Sequence, residues 1–379
     1  MRILNLFSNW KWTGPAEPAL NLAIKMRERG HDVHFACGRP PKGKEGIIDF
    51  ARQRGIEPYT GFKLNKHSNP FHNFKDTIKL SRLLKKSPFD IIHSHMENDH
   101  LIAARSLERS KAGALLIRTS YHGAGIKPTS RNRWLFSGIT DGLITVSDRA
   151  RACDIATFQL DEKRVWRVVT GVDISRFNPE RISGNTRKEF NLRKDDIVVG
   201  IVARVQTHRR FDVLLEAFRL ASQRLDSLRL FIVGRGTKIK EIVVDPVERM
   251  GIKNKVLLSG YRKGDDYVRT LASMDFKVFL VPGSDGSCRA VKEAMAMGLP
   301  IIVSKRGMLP EIVEDRVTGV VINDSPENLA VAIYNLATNS VKREKMGANA
   351  GKITRQLYSI ERQAVEVEKI YDKLLAIRS

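Results

Sequence analysis

The sequence is poor in cysteine and has no long apolar run. Its 379 residues include three cysteines, Cys37, Cys153 and Cys288, whose wide separation fits neither a disulfide framework nor a zinc site. No apolar stretch approaches the roughly 20 residues that a membrane-spanning helix needs. The N-terminus becomes polar and aromatic after one short apolar stretch, which indicates a buried strand and not a signal peptide. These features predict a cytoplasmic protein.

The composition is that of a globular protein with a strongly basic surface. Apolar residues make up 42% and charged residues 28%, and the length suggests about two or three domains. The net charge of +23 is shared almost evenly between the two halves of the chain. Such an excess either reflects an ordinary solvated surface or attracts anionic lipid, a phosphorylated ligand or nucleic acid. Because no nucleic-acid-binding motif is present, we expect no nucleic-acid partner.

Strand-like and helical segments alternate in both halves of the chain. The first series of apolar strands covers residues 2–7, 32–38, 90–95, 115–120 and 142–147. The second series covers residues 197–204, 228–234, 255–261, 276–282, 300–304 and 318–323. Between them lie helical stretches such as residues 18–30, which end at the C-terminal signal Gly30. This alternation predicts parallel sheets that are covered by helices.

The pattern predicts an α/β fold with two Rossmann-like, doubly wound domains that face a central cleft. We place the N-terminal domain at residues 1–172, a polar linker at 173–195 and the C-terminal domain at 196–358. Residues 359–379 form an amphipathic helix that we expect to pack back on the N-terminal domain. Ligands of such sheets bind beyond the carboxyl ends of the strands.

A cationic strand-to-helix junction lies at residues 201–218. The strand ends at Arg204, and Arg209 and Arg210 precede a helix that begins near Phe211 or Asp212. Guanidinium groups and a helix N-terminus at this point suit a leaving diphosphate. The alternative is a basic surface loop in which Asp212 is an ordinary N-cap.

A second motif, at residues 282–304, reads PGSDGSCRAVKEAMAMGLPIIVS. Gly286, Ser287 and Cys288 are small enough for the backbone to approach a ligand, and their amides could form an anion cradle. Glu293 would lie two turns into the following helix, where a carboxylate could accept two ribose hydroxyls. A solvated glutamate is the alternative, which the apolar neighbours of Glu293 disfavour.

Together these motifs resemble the family-4 retaining glycosyltransferases of the GT-B fold, whose hallmark is a Glu, seven residues, then a Glu. The further matches, in the family's order, are GPAEPALNLAIKMRERGHDVHF (14–35), DIIHSH (90–95), TGVDISRFNP (170–179), ARVQTHRRFDVLLEAF (203–218), VGRG (233–236) and RGMLPEIVEDRVTGVV (306–321). The resemblance covers essentially the whole chain.

The resemblance implies roles for individual residues. Arg204 and Arg209 would neutralise the donor diphosphate, Glu293 would bind the ribose, and His122 would lie near the reacting sugar. Asp285 and the amides from Gly286 to Arg289 would hold the transferred sugar and phosphates. The catalytic set that the resemblance implies is therefore His122, Arg204, Arg209 and Asp285. The remaining donor-binding positions are Gly14, Gly234, Tyr261, Arg262, Gly286, Ser287, Cys288 and Arg289.

Several positions depart from the family pattern. Asp285 stands for the first glutamate, Arg209 for a lysine, Arg210 for the glycine after it, and Cys288 for the second loop glycine. Pro15 replaces the second N-terminal glycine and lacks an N–H donor. These departures indicate a divergent branch.

The resemblance also implies the reaction. The diphosphate leaves, an acceptor hydroxyl attacks from the same face, and the leaving phosphate takes the proton. No metal or other cofactor is expected, which agrees with the lack of an Asp-x-Asp motif. Uridine is the favoured donor base, with guanosine and adenosine open. The expected acceptor is a glycan or lipid-linked molecule of cell-surface polysaccharide or lipopolysaccharide synthesis, used at the inner face of the membrane.

Two segments and the activity itself leave alternatives open. His93, His95 and His100 could hold zinc. The favoured interpretation is that this segment is instead a strand end at the cleft. Residues 127–136, KPTSRNRWLF, could dock on anionic lipid or form a helix that buries Trp134, Leu135 and Phe136. The chain could also be a non-catalytic nucleotide-sugar-binding protein or a sugar-nucleotide epimerase.

Overall fold

The chain forms two compact units in a computed structural model that describes residues 1–282 and 288–378. Residues 1–171 and 360–378 make up the N-terminal unit, and residues 172–282 and 288–359 make up the C-terminal unit. The strands that the structure describes form one six-stranded sheet in each unit, and all their pairings are parallel.

The N-terminal sheet has the order β2-β1-β3-β4-β5-β6. Its strands are β1 (Arg2–Phe7), β2 (Asp32–Cys37), β3 (Ile91–Ser94), β4 (Leu115–Ser120), β5 (Gly142–Thr145) and β6 (Val165–Arg167). In register, Ile3 lies opposite Val33 on one side and Ile91 on the other. Both faces of the sheet are covered, which is why its strands are nearly continuous apolar runs.

The first six α-helices in the described part of the chain lie in the N-terminal unit. They are α1 (Ala16–Glu28), α2 (Ile47–Gln53), α3 (Pro70–Lys86), α4 (Glu97–Ser110), α5 (Ser130–Trp134) and α6 (Asp148–Phe158). Three of them, α3, α5 and α6, begin at a side-chain cap. Asn69 caps α3 by accepting the N–H of His72 at 3.0 Å, and Pro70 occupies the first helical position. Gly30 follows α1 with a φ of +90°, as its helix-end signal predicts.

The C-terminal sheet has the order β12-β11-β10-β7-β8-β9. Its strands are β7 (Ile197–Val202), β8 (Leu228–Val233), β9 (Val256–Gly260), β10 (Phe276–Phe279), β11 (Ile301–Ser304) and β12 (Gly319–Ile322). The strand order reverses between β7 and β10. The chain therefore leaves these adjacent strands in opposite directions, which opens a crevice at their carboxyl ends.

The remaining helices complete both cores. They are α7 (Phe211–Ser222), α8 (Asp245–Arg249), α9 (Gly264–Leu271), α10 (Arg289–Ala296), α11 (Leu309–Ile312), α12 (Pro326–Thr338), α13 (Ser340–Leu357) and α14 (Ile360–Arg378). Phe211 and Phe218 of α7 are buried with Leu336 of α12 in the C-terminal core. The last helix, α14, belongs to the N-terminal unit, where Tyr371 is buried in a cluster with Ile3.

The structure confirms the α/β class with two doubly wound sheets and adds two features. Strand β6, only three residues long, was not among the predicted strands. Residues 173–195, predicted as a linker, pack within the C-terminal unit. The Thr186 amide donates to Ser273 at 2.8 Å, and the ring of Phe190 lies edge-on to Phe231 at 4.7 Å. None of the helices in the described part of the chain has the length and apolar character needed to cross a bilayer.

Candidate active site

Two loops meet where the C-terminal strand order reverses. Arg204 follows β7, and Arg209 ends a short 3₁₀ turn at Thr207–Arg209 before α7. The Nη1 atom of Arg209 donates to the carbonyl of Val281, just beyond β10, at 3.0 Å. This bond ties the β7 loop to the β10 loop and holds a cation at the crevice.

The backbone on either side of Arg204 is fixed. The Ala203 amide donates to Val233 and the Val205 amide donates to Arg235, both at 3.1 Å. The side chain of Arg204 is itself exposed. Because this backbone is already ordered, binding of an anionic ligand by Arg204 costs no further backbone conformational entropy.

Two glycines make this arrangement possible. A Cβ atom on Gly234 would lie 1.9 Å from the Ala203 carbonyl oxygen, and one on Gly236 would lie 2.1 Å from that of Val205. Gly234 also has a φ of +154°. The structure thus places Gly234, a predicted donor-binding residue, in backbone contact with the loop that carries Arg204.

Glu293 lies on α10 and is 5% exposed. Its Oε2 accepts a hydrogen bond from the Tyr267 hydroxyl at 2.7 Å, and its Oε1 lies 3.2 Å from Nε of Arg289. Burial and the Glu293 carboxylate raise the pKa of Tyr267, so this hydroxyl keeps its proton. Because each carboxylate oxygen can accept a second bond, the oriented group can still bind a pair of hydroxyls.

A buried lysine beneath α10 escaped the sequence analysis. Lys277 is fully buried in β10, and its Nζ donates to the carbonyl of Ala290 in the first turn of α10. Burial lowers the pKa of Lys277 to about 8, against the opposing effect of Glu293. The sequence feature that could have revealed it is a single lysine inside the apolar run FKVFLVP. A lysine in such a run is expected to be buried, and a buried lysine needs polar partners.

Arg210 and Cys288, which replace family glycines, both have left-handed backbone. Their φ angles are +59° and +47°, and they are the N-caps of α7 and α10. Glycine adopts this conformation without strain, which gives a physical reason for the family's preference. The cap of α7 is therefore Arg210, so the alternative that made Asp212 the N-cap is wrong.

Two further predicted donor-binding residues, Tyr261 and Arg262, have unequal surroundings. Tyr261 is 61% exposed, and the guanidinium of Arg235 lies 4.6 Å from its ring centroid. Arg262 instead forms ion pairs with Glu189 and, at 3.0 Å, with Asp266. Asp285, Gly286 and Ser287 lie outside the described residues.

In the N-terminal unit, His122 lies in the loop after β4, beside the first turn of α4. Its Nε2 is 3.6 Å from Oε1 of Glu97, whose Oε2 is 3.5 Å from Arg131. The neighbouring His122 side chain, with the charges of Arg118 and Arg131, lowers the pKa of Glu97 to about 2. Gly14 lies in the loop after β1, immediately before the cap residue of α1.

A buried polar network underlies these N-terminal loops and was also missed. Asp99 accepts the amides of Ser8 at 2.6 Å and Met96 at 3.0 Å, and thereby joins the loops after β1 and β3. Its Oδ1 lies 3.9 Å from Nη1 of the buried Arg118. Asp99 is the third residue of α4, and the cap position before the helix is held by Met96, so no typical capping residue marked this contact in the sequence.

The three histidines considered as zinc ligands are hydrogen-bonded to neighbouring side chains. His93 contacts Tyr371 and Thr119, and His95 contacts Tyr121 at 3.0 Å. Likewise, His100 Nε2 lies 2.8 Å from Thr140 Oγ1. Burial lowers the pKa of His93 to about 3, which keeps its ring neutral. No group of three potential ligands in the described residues is placed to hold a metal ion.

Of the two interpretations of residues 127–136, the structure agrees with the one that buries the apolar side chains. Leu135 is fully buried and Phe136 is 5% exposed. Phe136 packs against Phe158 with ring centroids 5.0 Å apart, while Trp134 packs partly buried against the core. The aromatic residues of this segment are thus used in packing.

Two family models account for most of the chain. The model "Glycosyltransferase Family 4" matches residues 14–176, and the model "Glycosyl transferases group 1" matches residues 183–353. The chain belongs to the family-4 glycosyltransferases of the GT-B fold.

Individual relatives agree with this assignment. The glycosyltransferase is 22% identical over 363 residues to an N-acetyl-alpha-D-glucosaminyl L-malate synthase of Bacillus anthracis, covering 93% of this chain and 92% of that protein. It is 27% identical to a UDP-Gal:alpha-D-GlcNAc-diphosphoundecaprenol alpha-1,3-galactosyltransferase of Escherichia coli, covering 61% and 62%. Its fold is similar to that of Anabaena Alr3699/HepE, solved in complex with UDP, with a TM-score of 0.79, 18% identity, and coverage of 98% and 100%.

Proposed function

We propose that this enzyme transfers a sugar from a nucleoside diphosphate sugar, with UDP favoured, to a hydroxyl of a glycan or lipid-linked acceptor, with retention of configuration. The observation that carries the proposal is the C-terminal crevice. There Arg209 bridges the loops after β7 and β10, Arg204 stands on a fixed backbone, and the buried carboxylate of Glu293 is oriented by Tyr267.

Each group has a defined task in the proposed reaction. The bond between the sugar carbon and the diphosphate oxygen breaks, and a bond to the acceptor oxygen forms on the same face. The acceptor proton passes to the departing phosphate. Arg204 and Arg209 offset the charge that develops on the diphosphate, without a metal, while Glu293 anchors the ribose. His122, from the loop after β4, would lie near the transferred sugar.

The proposed acceptor and donor rest on chemistry and on relatives. The Escherichia coli relative is named for a UDP-sugar donor and a diphosphate-linked lipid acceptor, and the Anabaena structure contains UDP. The net charge of +23 would favour an anionic acceptor and an anionic membrane surface. We therefore propose that the enzyme acts in cell-surface polysaccharide or lipopolysaccharide synthesis, at the inner face of the membrane.

Thermal denaturation with candidate nucleotides tests the donor site. We expect UDP or a UDP-sugar to raise the melting temperature more than GDP or ADP, because a ligand of the native state stabilises it. The shift should persist in EDTA and should disappear in Glu293→Ala. Glu327→Ala, at an exposed glutamate near the start of α12, is the matched control.

Three results would contradict the proposal. A shift that needs a divalent metal would contradict the charge-neutralising role of Arg204 and Arg209. Tight donor binding without turnover on any acceptor would identify a non-catalytic binding protein, and conversion of the donor to its epimer would identify an epimerase.

A further inference from the structure

Helix α3 exposes two phenylalanines on its first turns. Phe71 is 63% exposed and Phe74 is 60% exposed. The Nζ atom of Lys75 lies 4.0 Å from the centre of the Phe71 ring. Ile78, one turn further along the same face, is half-buried. Neighbouring exposed aromatic side chains on one helix face indicate an interaction surface.

The opposite face of α3 fixes the helix in this orientation. Asp76 is buried and accepts the amides of Lys63 at 2.9 Å and Leu64 at 2.8 Å. Asn73 is also buried and exchanges side-chain hydrogen bonds of 2.7 and 3.0 Å with Asn98 of α4. Because these polar groups would lose their partners if the helix rotated, the phenylalanines cannot turn inward.

The exposed residues around the phenylalanines carry charge of one sign. Lys63 and Lys66 are exposed in the loop before α3. On the helix itself the exposed basic residues are Lys75, Lys79, Arg82, Lys85 and Lys86. Asp76 is the one acidic residue within residues 63–86, all of which the structure describes, and it is buried. The exposed side chains of residues 63–86, named here the α3 surface, therefore include two phenylalanines and charged groups that are all basic.

We propose that the α3 surface docks on bilayers that contain anionic phospholipid. The phenyl rings would enter the boundary between headgroups and acyl chains, while the ammonium and guanidinium groups stay among the phosphates. The charge distribution favours this partner over a second copy of the chain, because self-association through this face would bring two basic surfaces together. A bilayer partner also fits the spacing of Phe71 and Phe74, which project from adjacent turns of one helix face.

The inference names the membrane contact that the proposed function requires, and it can fail independently of that function. Vesicle binding is measured on the full chain without any donor, whereas donor binding is measured without vesicles. If the unmodified chain binds no vesicles but still shows the nucleotide-induced thermal shift, the α3 surface alone is contradicted. If the unmodified chain binds vesicles but shows no thermal shift with any nucleotide, the donor site alone is contradicted.

The experiment is co-sedimentation with vesicles of phosphatidylcholine mixed with phosphatidylglycerol. Vesicles of phosphatidylcholine alone provide the comparison. We expect binding to the mixed vesicles, weakened strongly in about 1 M salt, where surface charges are screened. Phe71→Ser combined with Phe74→Ser should weaken binding roughly a hundredfold by removing apolar burial. Arg82→Ala combined with Lys86→Ala should weaken it about thirtyfold.

Matched controls lie in the C-terminal unit. Val331→Ser with Val341→Ser removes two side chains that are 59% and 75% exposed, and Lys342→Ala with Lys345→Ala removes two exposed lysines of α13. Both controls should bind like the wild type, and all variants should keep its melting temperature because the changed residues are exposed.

Three outcomes would overturn the proposal. The first is equal binding to vesicles with and without phosphatidylglycerol. The second is wild-type binding by both α3 variants. The third is a change in sedimentation coefficient when Phe71 and Phe74 are replaced, which would identify the surface as a protein interface. Quenching of a Phe74→Trp variant by brominated lipids, relative to the wild type, should show directly that this position enters the bilayer.

Discussion

Tyr267 donates a 2.7 Å hydrogen bond to Oε2 of Glu293, the carboxylate expected to hold the donor ribose. Arg289 approaches the other oxygen at 3.2 Å. The carboxylate is thus held from two sides, by α9 and by its own helix α10. Its position depends on groups that need not touch the donor.

Replacing Tyr267 by Phe should weaken UDP binding. A hydrogen bond to a charged group contributes about 1.5–3 kcal/mol, so we expect roughly a tenfold loss of affinity by calorimetry. Tyr334→Phe, at a half-buried tyrosine of α12, should leave affinity unchanged. If Tyr267→Phe binds UDP like the wild type while Glu293→Gln does not, the hydroxyl has no part in orienting the carboxylate.

The left-handed backbone of Arg210 predicts an unusual order of variant stabilities. Arg210→Ala loses the ion pairs with Asp324 and Asp212 but keeps a Cβ atom at a φ of +59°. Arg210→Gly loses the same pairs and relieves the strain, so its free energy of unfolding should exceed that of Arg210→Ala by about 1 kcal/mol.

The control for Arg210 lies within the following helix. At Arg219, inside α7, glycine should be less stable than alanine by about 1 kcal/mol. Urea denaturation of the four variants measures both differences. If the difference in free energy of unfolding between the glycine and alanine variants had the same sign at both positions, the left-handed conformation at Arg210 would carry no measurable strain.

Lys277 predicts a dependence of stability on alkaline pH. Its pKa in the folded protein, about 8, lies below its ordinary value of 10.5 because the group is buried. Between these values the unfolded chain binds more protons than the folded chain, so the contribution of Lys277 to the free energy of unfolding rises with pH. The rise should total about 3 kcal/mol between pH 8 and 10.5.

A methionine at position 277 removes this contribution. The difference in free energy of unfolding between the wild type and Lys277→Met should move in favour of the wild type as the pH rises through this window. Lys305→Met, at an exposed lysine, should give a difference that stays constant. A constant difference for Lys277→Met as well would show that Lys277 remains protonated in the folded protein throughout the window.

Sequence patterns predicted the parts of the fold that depend on local rules. Strands such as β1 and β7 are buried on both faces, so their apolar runs are visible in any window. The approximate positions of Arg204, Arg209 and Glu293 followed from strand ends and helix starts. Strand β6 has three residues, too few for a pattern, and it forms because β5 offers it an edge.

Features that depend on tertiary contacts could not be predicted. Helix α3 buries Asn73 and Asp76 and exposes Phe71 and Phe74, the reverse of what hydrophobicity indicates. The orientation of α3 is determined by hydrogen-bond partners that are distant in sequence, such as Asn98 of α4. Likewise, Lys277 can be buried in β10 because its Nζ donates a hydrogen bond to the Ala290 carbonyl.

The close approach of Gly234 to the Arg204 loop predicts that alanine is not tolerated there. A Cβ atom would lie 1.9 Å from the Ala203 carbonyl oxygen, so the loop that carries Arg204 must move. Gly234→Ala should lower the free energy of unfolding by about 1–3 kcal/mol and weaken UDP binding at least about tenfold, because the guanidinium would be displaced. Gly61→Ala, where a Cβ atom would have no neighbour within 4 Å, should change neither property. If Gly234→Ala lowered stability but bound UDP normally, the position of the Arg204 loop would not determine donor affinity, and the charge of Arg209 would have to suffice for the diphosphate.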